Sequence, residues 1–144
     1  MDDWESVIFE IKSASNLIKR KIDSLMAASE EDGVTGMQGF VIGFLSRHPD
    51  QDVFQRDIEE EFKIRRSTAT GILQLMEKNG LLERHAVPSD ARLKKLVLTQ
   101  KGKDRHQRFL NNVERVEREA KAGLTEQEIK DFLNTLHRIE KNCE

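Results

Sequence analysis

Residues 52–102 read DVFQRDIEEEFKIRRSTATGILQLMEKNGLLERHAVPSDARLKKLVLTQKG, and this stretch decides the fold. A short amphipathic helix is predicted over 54–62, where apolar residues are spaced four apart: Phe54, Ile58 and Phe62. Residues 63–65 are about as long as a tight helix-turn-helix connection requires. A second helix is predicted over 66–79, and Gly80 ends it, as C-terminal glycines commonly do. The order predicts a helix-turn-helix.

The second predicted helix has two different faces. One face is apolar: Ala69, Ile72, Leu73 and Met76. The other carries short or polar residues: Arg66, Ser67, Thr70, Gly71 and Gln74. The first turn is basic and hydroxyl-rich, with Arg65, Arg66, Ser67 and Thr68, although acidic residues would suit the positive end of the helix dipole better. A DNA phosphate would resolve this mismatch, whereas the alternative is that the hydroxyl residues are only capping and solvated positions.

A two-stranded hairpin is predicted to follow. Residues 81–87 have strand composition, 88–90 have turn composition, and 93–99 alternate so that Leu96 and Leu98 share one face. A hairpin directly after a helix-turn-helix is the wing of a winged helix, which lies on duplex DNA. Arg66 and Gln74 of the preceding helix are long enough to reach base edges in a major groove.

The hairpin and the segment after it are strongly basic. Between 84 and 108 eight basic residues stand against Asp90 and Asp104, a net of six positive charges, on a chain whose formal net charge is −2; the basic residues are Arg84, Arg92, Lys94, Lys95, Lys101, Lys103, Arg105 and Arg108. Such a run is usually only a solvated surface, but here it adjoins the candidate recognition helix, where phosphates would lie. Asp90 precedes Arg92 by two residues and is predicted to orient its guanidinium, unless the two form a simple turn ion pair.

Several motifs of this region occur in a fixed order: IRRSTAT at 64–70, LMEKNGLLER at 75–84, DAR at 90–92 and LVLTQKG at 96–102. Together they resemble the multiple antibiotic resistance regulator (MarR) family of bacterial repressors. The resemblance covers almost the whole chain, because the family also carries helices before and after its winged domain. Any single motif would be weak, but the order and spacing are specific.

The resemblance implies roles for individual residues. The second helix of the motif enters the major groove in similar proteins, which points to Arg66, Ser67, Thr68, Thr70 and Gln74, with Arg65 beside the backbone. The wing enters the minor groove through Arg92, which Asp90 orients, and we add the basic wing residue Lys94 to this set. Gly71 departs from the family pattern, because many relatives have a longer polar residue there.

The two ends of the chain carry apolar stripes at helical spacing. The N-terminal stripe runs from 4 to 26 through Trp4, Val7, Ile8, Ile11, Ala14, Ile18, Ile22 and Leu25. A long helix after Thr99 carries Phe109, Val113, Val116 and Ala120. Thr125 and Glu128 form a capping box that opens a last helix with Ile129, Phe132, Leu133, Leu136 and Ile139. The resemblance implies that these ends interlock in a twofold dimer, whereas the alternative is packing within a monomeric bundle.

We therefore expect a mostly α fold with a small β-hairpin wing (α+β), in which a winged helix-turn-helix is flanked by dimerisation helices. Residues 1–144 would form a single domain, with the DNA-binding region at 34–102 and the dimerisation helices at 1–30 and 103–144. A twofold dimer would place its recognition helices about 34 to 36 Å apart and favour a palindromic site.

A further helix is predicted over Thr35–His48, opened by a capping box of Thr35 and Gln38 and ended by Pro49. It contains Gly36, Gly39 and Gly43, each of which costs about 1 kcal/mol relative to alanine. Close helix contact or room for a ligand would justify that cost. Similar regulators bind small, often aromatic molecules where the dimer helices meet the winged domain, which here points to Met26, Met37, Phe40, Phe44 and Phe109. Core packing is the alternative role for each of them.

Composition argues against other classes of protein. Aromatic residues make up 6% of the chain and tyrosine is absent, which does not favour stacking on single strands. No apolar run is long enough for a membrane span and the N-terminus lacks the charge of a secretory signal, so a cytoplasmic protein is expected. The four histidines (His48, His85, His106 and His137) form no metal motif, and no phosphate loop or serine elbow occurs. We expect no enzyme activity, no metal and no cofactor, and we expect Cys143 to be a bystander rather than a redox sensor.

The function expected from these observations is a homodimeric repressor that binds a palindromic operator in double-stranded DNA and is released by a small-molecule ligand. The alternative is a winged helix used for DNA architecture or protein contact without ligand sensing. A sequence-selective regulator prefers its own promoter over random duplex by orders of magnitude, whereas an architectural protein does not.

Overall fold

The computed structural model describes residues 5–29 and 36–144. Within these residues the chain forms six helices and one two-stranded sheet, in the order α1 (Val7–Ser29), α2 (Gly36–Arg47), α3 (Gln55–Phe62), α4 (Arg66–Lys78), β1 (Leu82–Val87), β2 (Asp90–Leu98), α5 (Gln100–Lys121) and α6 (Glu126–Cys143). The fold is therefore mostly α with a small hairpin, as predicted. Trp4 and Thr35, which the sequence assigns to an apolar stripe and a capping box, lie outside the described residues.

The predicted helix-turn-helix is confirmed in α3 and α4. The backbone N–H of Phe54 donates to Asp57 Oδ2 at 2.8 Å, which caps the start of α3. Lys63 ends this helix in the left-handed conformation, with φ of 51°, and so turns the chain toward α4. At the end of α4, Gly80 has φ of 72° and the N–H of Leu81 donates to the carbonyl of Met76 at 2.9 Å. This is the glycine stop that the sequence predicted.

The hairpin pairs β1 and β2 antiparallel, with Leu82 opposite Leu98. The second strand begins at Asp90, three residues earlier than predicted, and the turn is confined to Pro88 and Ser89. The reason is that Asp90 pairs with Val87, across an irregularity of register between Ala86 and Val87. Residues 91–93 therefore lie between two paired positions at the tip of the wing.

The core lies where α1 to α5 and the hairpin meet. Its buried side chains are Ile22, Met26, Val41, Ile42, Phe44, Leu45, Val53, Ile58, Leu73, Met76, Leu81, Leu82, Leu96, Phe109 and Val116.

Two glycines of α2 allow close approach to the neighbouring helices. A Cβ atom at Gly39 would overlap the ring of Phe109, and one at Gly36 would lie 3.0 Å from Cγ2 of Ile22. Close helix contact therefore accounts for the glycines at these two positions.

The junction between the wing and α5 is tightly packed. Thr99 is the N-cap of α5, and its hydroxyl accepts from the N–H of Gly102 at 3.1 Å. The same hydroxyl donates to the carbonyl of Gly80 at 2.5 Å. A Cβ atom at Gly102 would overlap the carbonyl oxygen of Leu81, so only glycine fits. These contacts hold the start of α5 against the segment that follows α4.

The last helix, α6, packs little against the rest of the chain. Its predicted capping box is confirmed, because Thr125 Oγ1 accepts from the N–H of Glu128 at 3.1 Å and the Glu128 carboxylate accepts from the N–H of Thr125 at 2.7 Å. None of its residues is buried. An ion pair of Lys63 with Glu144, at 3.1 Å, joins its C-terminal end to the turn of the helix-turn-helix.

A search of the described helices for a candidate membrane span finds none with the required length and hydropathy.

Candidate nucleic-acid interface

The recognition helix α4 buries one face and exposes the other. Ala69, Leu73 and Met76 have no solvent-exposed surface. Among the six predicted DNA-contacting residues of α4 and its N-cap, Thr70 is half-buried and five are exposed: Arg65, Arg66, Ser67, Thr68 and Gln74. Arg65 is the N-cap and makes no side-chain hydrogen bond to the helix. The first turn of α4 therefore presents backbone N–H groups and basic side chains together, an arrangement suited to a phosphate.

Gly71 lies at the centre of the outward face of α4, between Ser67 and Gln74. A Cβ atom at this position would have no heavy atom within 4 Å, so packing within the chain does not require glycine here. Its backbone is helical rather than left-handed, since positive φ occurs among the described glycines only at Gly80 and Gly123. Gly71 thus leaves a smooth, open surface in the middle of the helix.

A Cβ atom has open space at Gly71 but overlaps a backbone carbonyl at Gly102, so alanine is expected to have opposite effects on stability at the two positions. Gly71→Ala is expected to raise the free energy of unfolding by about 0.5 to 1 kcal/mol, because alanine favours a helix and meets no neighbour. Gly102→Ala is expected to lower it by about 1 to 3 kcal/mol, because the methyl group would push against a backbone carbonyl. Urea unfolding of the two variants measures both changes. Equal destabilisation by the two substitutions would contradict the packing described at these sites.

The tip of the wing carries an arginine held by an aspartate. Asp90 Oδ1 accepts from the backbone N–H of Arg92 at 2.9 Å and from its Nε at 3.3 Å, and Oδ2 accepts from Nη2 at 3.5 Å. The side chain of Arg92 is 91% exposed, so this pair adds little to stability. Its effect is geometric, since it directs a charged, accessible guanidinium away from the hairpin.

The charge state of Asp90 follows from the same contacts. The backbone N–H of Arg92, followed by its guanidinium, holds the pKa of the Asp90 carboxyl below its ordinary value of 3.8. Because the pKa is lower in the folded chain than in the unfolded one, the pair stabilises the fold above the unfolded pKa. That contribution is lost as the pH falls through the folded pKa. At neutral pH the aspartate is ionised and the arginine stays oriented.

A basic cleft of about 410 Å³ separates α4 from the wing. Four residues of the predicted DNA-contacting set line it together: Arg66, Thr70, Arg92 and Lys94. The other helical residues of that set, Ser67, Thr68 and Gln74, lie along α4 itself and extend the same surface. The structure therefore places the predicted residues of α4 and of the wing on adjoining surfaces.

Two further residues organise this cleft, namely Gln55 and Arg84, and the sequence alone does not reveal them. Gln55 Nε2 donates to Thr70 Oγ1 at 2.8 Å and to the carbonyl of Arg66 at 3.3 Å. Arg84 Nη1 donates to Gln55 Oε1 at 3.5 Å, and Arg84 Nε pairs with Glu77 Oε2 at 3.3 Å. In the sequence Arg84 is one basic residue among several, and no local pattern marks Gln55, because Thr70 and Arg84 are 15 and 29 positions away from it.

Four of the five residues predicted to line a ligand pocket lie in the core or contact it. Phe40 meets Phe109 edge to face, with ring centroids 5.1 Å apart, and Met26 is buried in the same core. Phe44 belongs to this core too, and its ring centroid lies 4.4 Å from that of His48. Met37 is half-buried. A ligand role for these residues stays a prediction, and the ring of Phe109 fills the space beside Gly39.

The described histidines, acidic residues and cysteine show no grouping for a metal. Among the described residues, no three His, Cys, Asp or Glu side chains are arranged so that they could hold a metal ion. Cys143 is an exposed, free thiol near the end of α6.

Comparison with known proteins places these features in one family. A sequence profile of the MarR family matches residues 32–93. The crystal structure of the transcription regulator MarR from Oenococcus oeni PSU-1 is 32% identical in sequence, with a TM-score of 0.78, and the match covers 94% of this chain and 99% of that one. The HTH-type transcriptional regulator YybA of Bacillus subtilis (strain 168) is 25% identical over 128 residues, which cover 89% of this chain and 85% of YybA.

A DNA complex supports the fold independently. The crystal structure of the S. aureus MepR–DNA complex has a TM-score of 0.88 and covers 99% of this chain and all of that one, at 20% identity. At this identity the likeness establishes the fold alone. The match to the Oenococcus oeni protein is closer in sequence and spans nearly all of both chains, and its family consists of transcriptional regulators rather than enzymes. The chain belongs to the MarR family of DNA-binding transcriptional regulators.

Proposed function

We propose that this protein is a homodimeric repressor that binds a palindromic operator and is released by a small-molecule ligand. The observation that carries the proposal is the cleft in which the exposed N-terminal half of α4 adjoins the oriented guanidinium of Arg92. A major groove and the minor groove beside it present two such sites to one protein surface. The DNA-binding region comprises residues 34–102, and residues 1–30 and 103–144 form the dimer.

In the proposed complex α4 lies in the major groove. Arg66, Thr70 and Gln74 face base edges, and Arg65 lies beside the phosphate backbone. The missing side chain at Gly71, which no packing contact explains, lets the helix backbone come close to the bases. Arg92 enters the neighbouring minor groove, whose negative potential favours arginine.

The dimer is supported by apolar surface that the single chain leaves uncovered. On α1 and α6 large apolar side chains are exposed: Val7, Ile8, Phe9, Leu17, Ile18, Phe132 and Leu133. A groove of about 710 Å³ between the two helices is lined by further apolar residues: Ile11, Leu136 and Ile139. Apolar surface of this extent usually marks an interface. A second copy of the chain, related by a twofold axis, would cover it and set the spacing of the two recognition helices.

The ligand response is proposed for the contact of α1, α2 and α5, which joins the dimer helices to the DNA-binding region. Phe40 remains 39% exposed beside the buried Phe109, so an aromatic molecule would find a partner there. PefR of Streptococcus agalactiae, which is 28% identical to this chain, has been solved in complex with heme. A ligand releases the repressor only if it binds the DNA-free arrangement more tightly than the DNA-bound one.

The proposal is tested by footprinting on the DNA upstream of the protein's own gene and its neighbours, with random duplex as competitor. We expect a protected palindrome that binds about 10³-fold or more tightly than random DNA. Titration with phenolic compounds is expected to remove the protection. Equal affinity for all duplexes would instead support an architectural role and contradict the repressor.

A further inference from the structure

Gln55, the first residue of α3, connects three parts of the DNA-binding surface. Its side-chain amide bonds to Thr70 and to the Arg66 carbonyl on α4, and to Arg84 on β1. It is half-buried in the cleft between the recognition helix and the wing. A single side chain therefore touches the recognition helix at two points and the wing at a third.

The chemistry of its neighbours fixes which way the amide points. Arg84 has only donors, so it must face the amide oxygen. The Arg66 carbonyl has only lone pairs, so it must face the amide nitrogen. The amide N–H group is thus directed at α4, and the hydroxyl oxygen of Thr70, at 2.8 Å, accepts from it. The ion pair of Arg84 with Glu77 holds the guanidinium in place.

This arrangement determines what Thr70 can offer to a duplex. A threonine inside a helix commonly donates its hydroxyl proton to the carbonyl four residues earlier, which here belongs to Arg66. That carbonyl already accepts from Gln55, and the α-helix pairs it with the backbone N–H of Thr70. Both of its lone pairs are therefore used. With its oxygen accepting one bond from Gln55, the Thr70 hydroxyl keeps one proton and one lone pair. Because the Arg66 carbonyl is already taken, the proton has to find its acceptor in the cleft that Thr70 lines.

We propose that Gln55 is a positioning residue that fixes Thr70 as a hydrogen-bond donor toward DNA, so that the base edge facing Thr70 carries an acceptor. In the major groove guanine, adenine and thymine present acceptors, whereas cytosine presents the N4 donor. A cytosine facing Thr70 would leave the hydroxyl proton without an acceptor, so Thr70 discriminates against cytosine at one position of each half-site. The inference rests on the proposed placement of α4 in the major groove and goes beyond it by assigning a base preference and the residue that sets it.

The test uses a duplex that the wild-type protein selects from a random-sequence pool. At each position of that duplex, affinity is compared between the selected base and cytosine. Thr70→Val, which is nearly isosteric, is expected to reduce this ratio about five- to a hundredfold at one position per half-site and to leave it unchanged elsewhere.

Gln55→Glu reverses the hydrogen bond, because a carboxylate has no proton to donate and accepts the Thr70 hydroxyl instead. The preference against cytosine is expected to fall at least fivefold at that same position. Gln55→Met, which removes the donor without adding charge, is also expected to lower the preference against cytosine at that position. When either Gln55 substitution is combined with Thr70→Val, the affinity ratio between the selected base and cytosine should not change further. If the Gln55 substitutions acted by loosening the helix in general, they would still change this ratio in the absence of the Thr70 hydroxyl.

Gln51→Glu is the matched control for charge, because this exposed residue lies in the loop just before α3. It is expected to weaken binding to all sequences equally. Failure to select any sequence would contradict the proposed function itself. Two results would overturn the inference about Gln55 without contradicting the proposed repressor. In the first, a sequence is selected but Thr70→Val changes no base preference. In the second, Thr70→Val changes the preference while both Gln55 variants keep that of the wild type.

Discussion

Ile18→Asp is expected to convert the protein into a monomer that no longer binds its operator tightly. Ile18 is 47% exposed on α1, among the apolar residues assigned to the dimer, and a carboxylate there would have to be buried without a partner. A monomer contacts one half-site only, so it loses the gain of linked binding, about 10²- to 10⁴-fold in affinity. Sedimentation and a duplex titration measure the two effects.

Asn16→Asp provides the control, because it adds the same charge to another exposed position of α1. This variant should remain dimeric and bind as the wild type does. A dimeric Ile18→Asp variant, or a monomer that retains wild-type affinity for a palindrome, would remove α1 from the proposed interface.

Arg92→Ala is expected to weaken operator binding by about 1 to 3 kcal/mol and to leave the dimer and the fold intact. The side chain is almost fully exposed, so its loss removes little packing. Arg92→Lys keeps the charge but loses the planar fork that Asp90 holds, and it should recover only part of the affinity. Fluorescence anisotropy measured over a range of salt concentrations separates the electrostatic part of the lost binding free energy from the part that does not depend on salt.

Arg118→Ala removes the same charge from the last turn of α5, away from the cleft. Its effect on DNA binding should be small. If Arg92→Ala binds the operator as the wild type does, or if both arginine variants lose affinity to the same degree, the wing makes no specific contribution.

Local signals account for what the sequence predicted correctly. The glycine stop at Gly80 and the capping box of Thr125 with Glu128 depend on neighbours within a few residues, so they can be recognised without a structure. The two faces of α4 follow from helical spacing alone. The pairing of Asp90 with Arg92 was predicted for the same reason, because the two residues are close in sequence.

Contacts between distant parts of the chain could not be predicted. The irregular pairing that starts β2 at Asp90 depends on cross-strand register rather than on composition. The sequence left two reasons for the glycines of α2, and only the position of the Phe109 ring beside Gly39 distinguishes them. Gln55 carries no signal of its own, because its importance comes from partners on other elements.

In the proposed complex two subunits present their recognition helices to successive major grooves of one duplex. Affinity and stoichiometry can be measured on the selected palindrome and on a copy with about five base pairs, half a helical turn, inserted between its half-sites. We expect two chains on the intact site and a loss of at least a hundredfold in affinity on the altered one. One chain per duplex, or equal affinity for the two spacings, would contradict it.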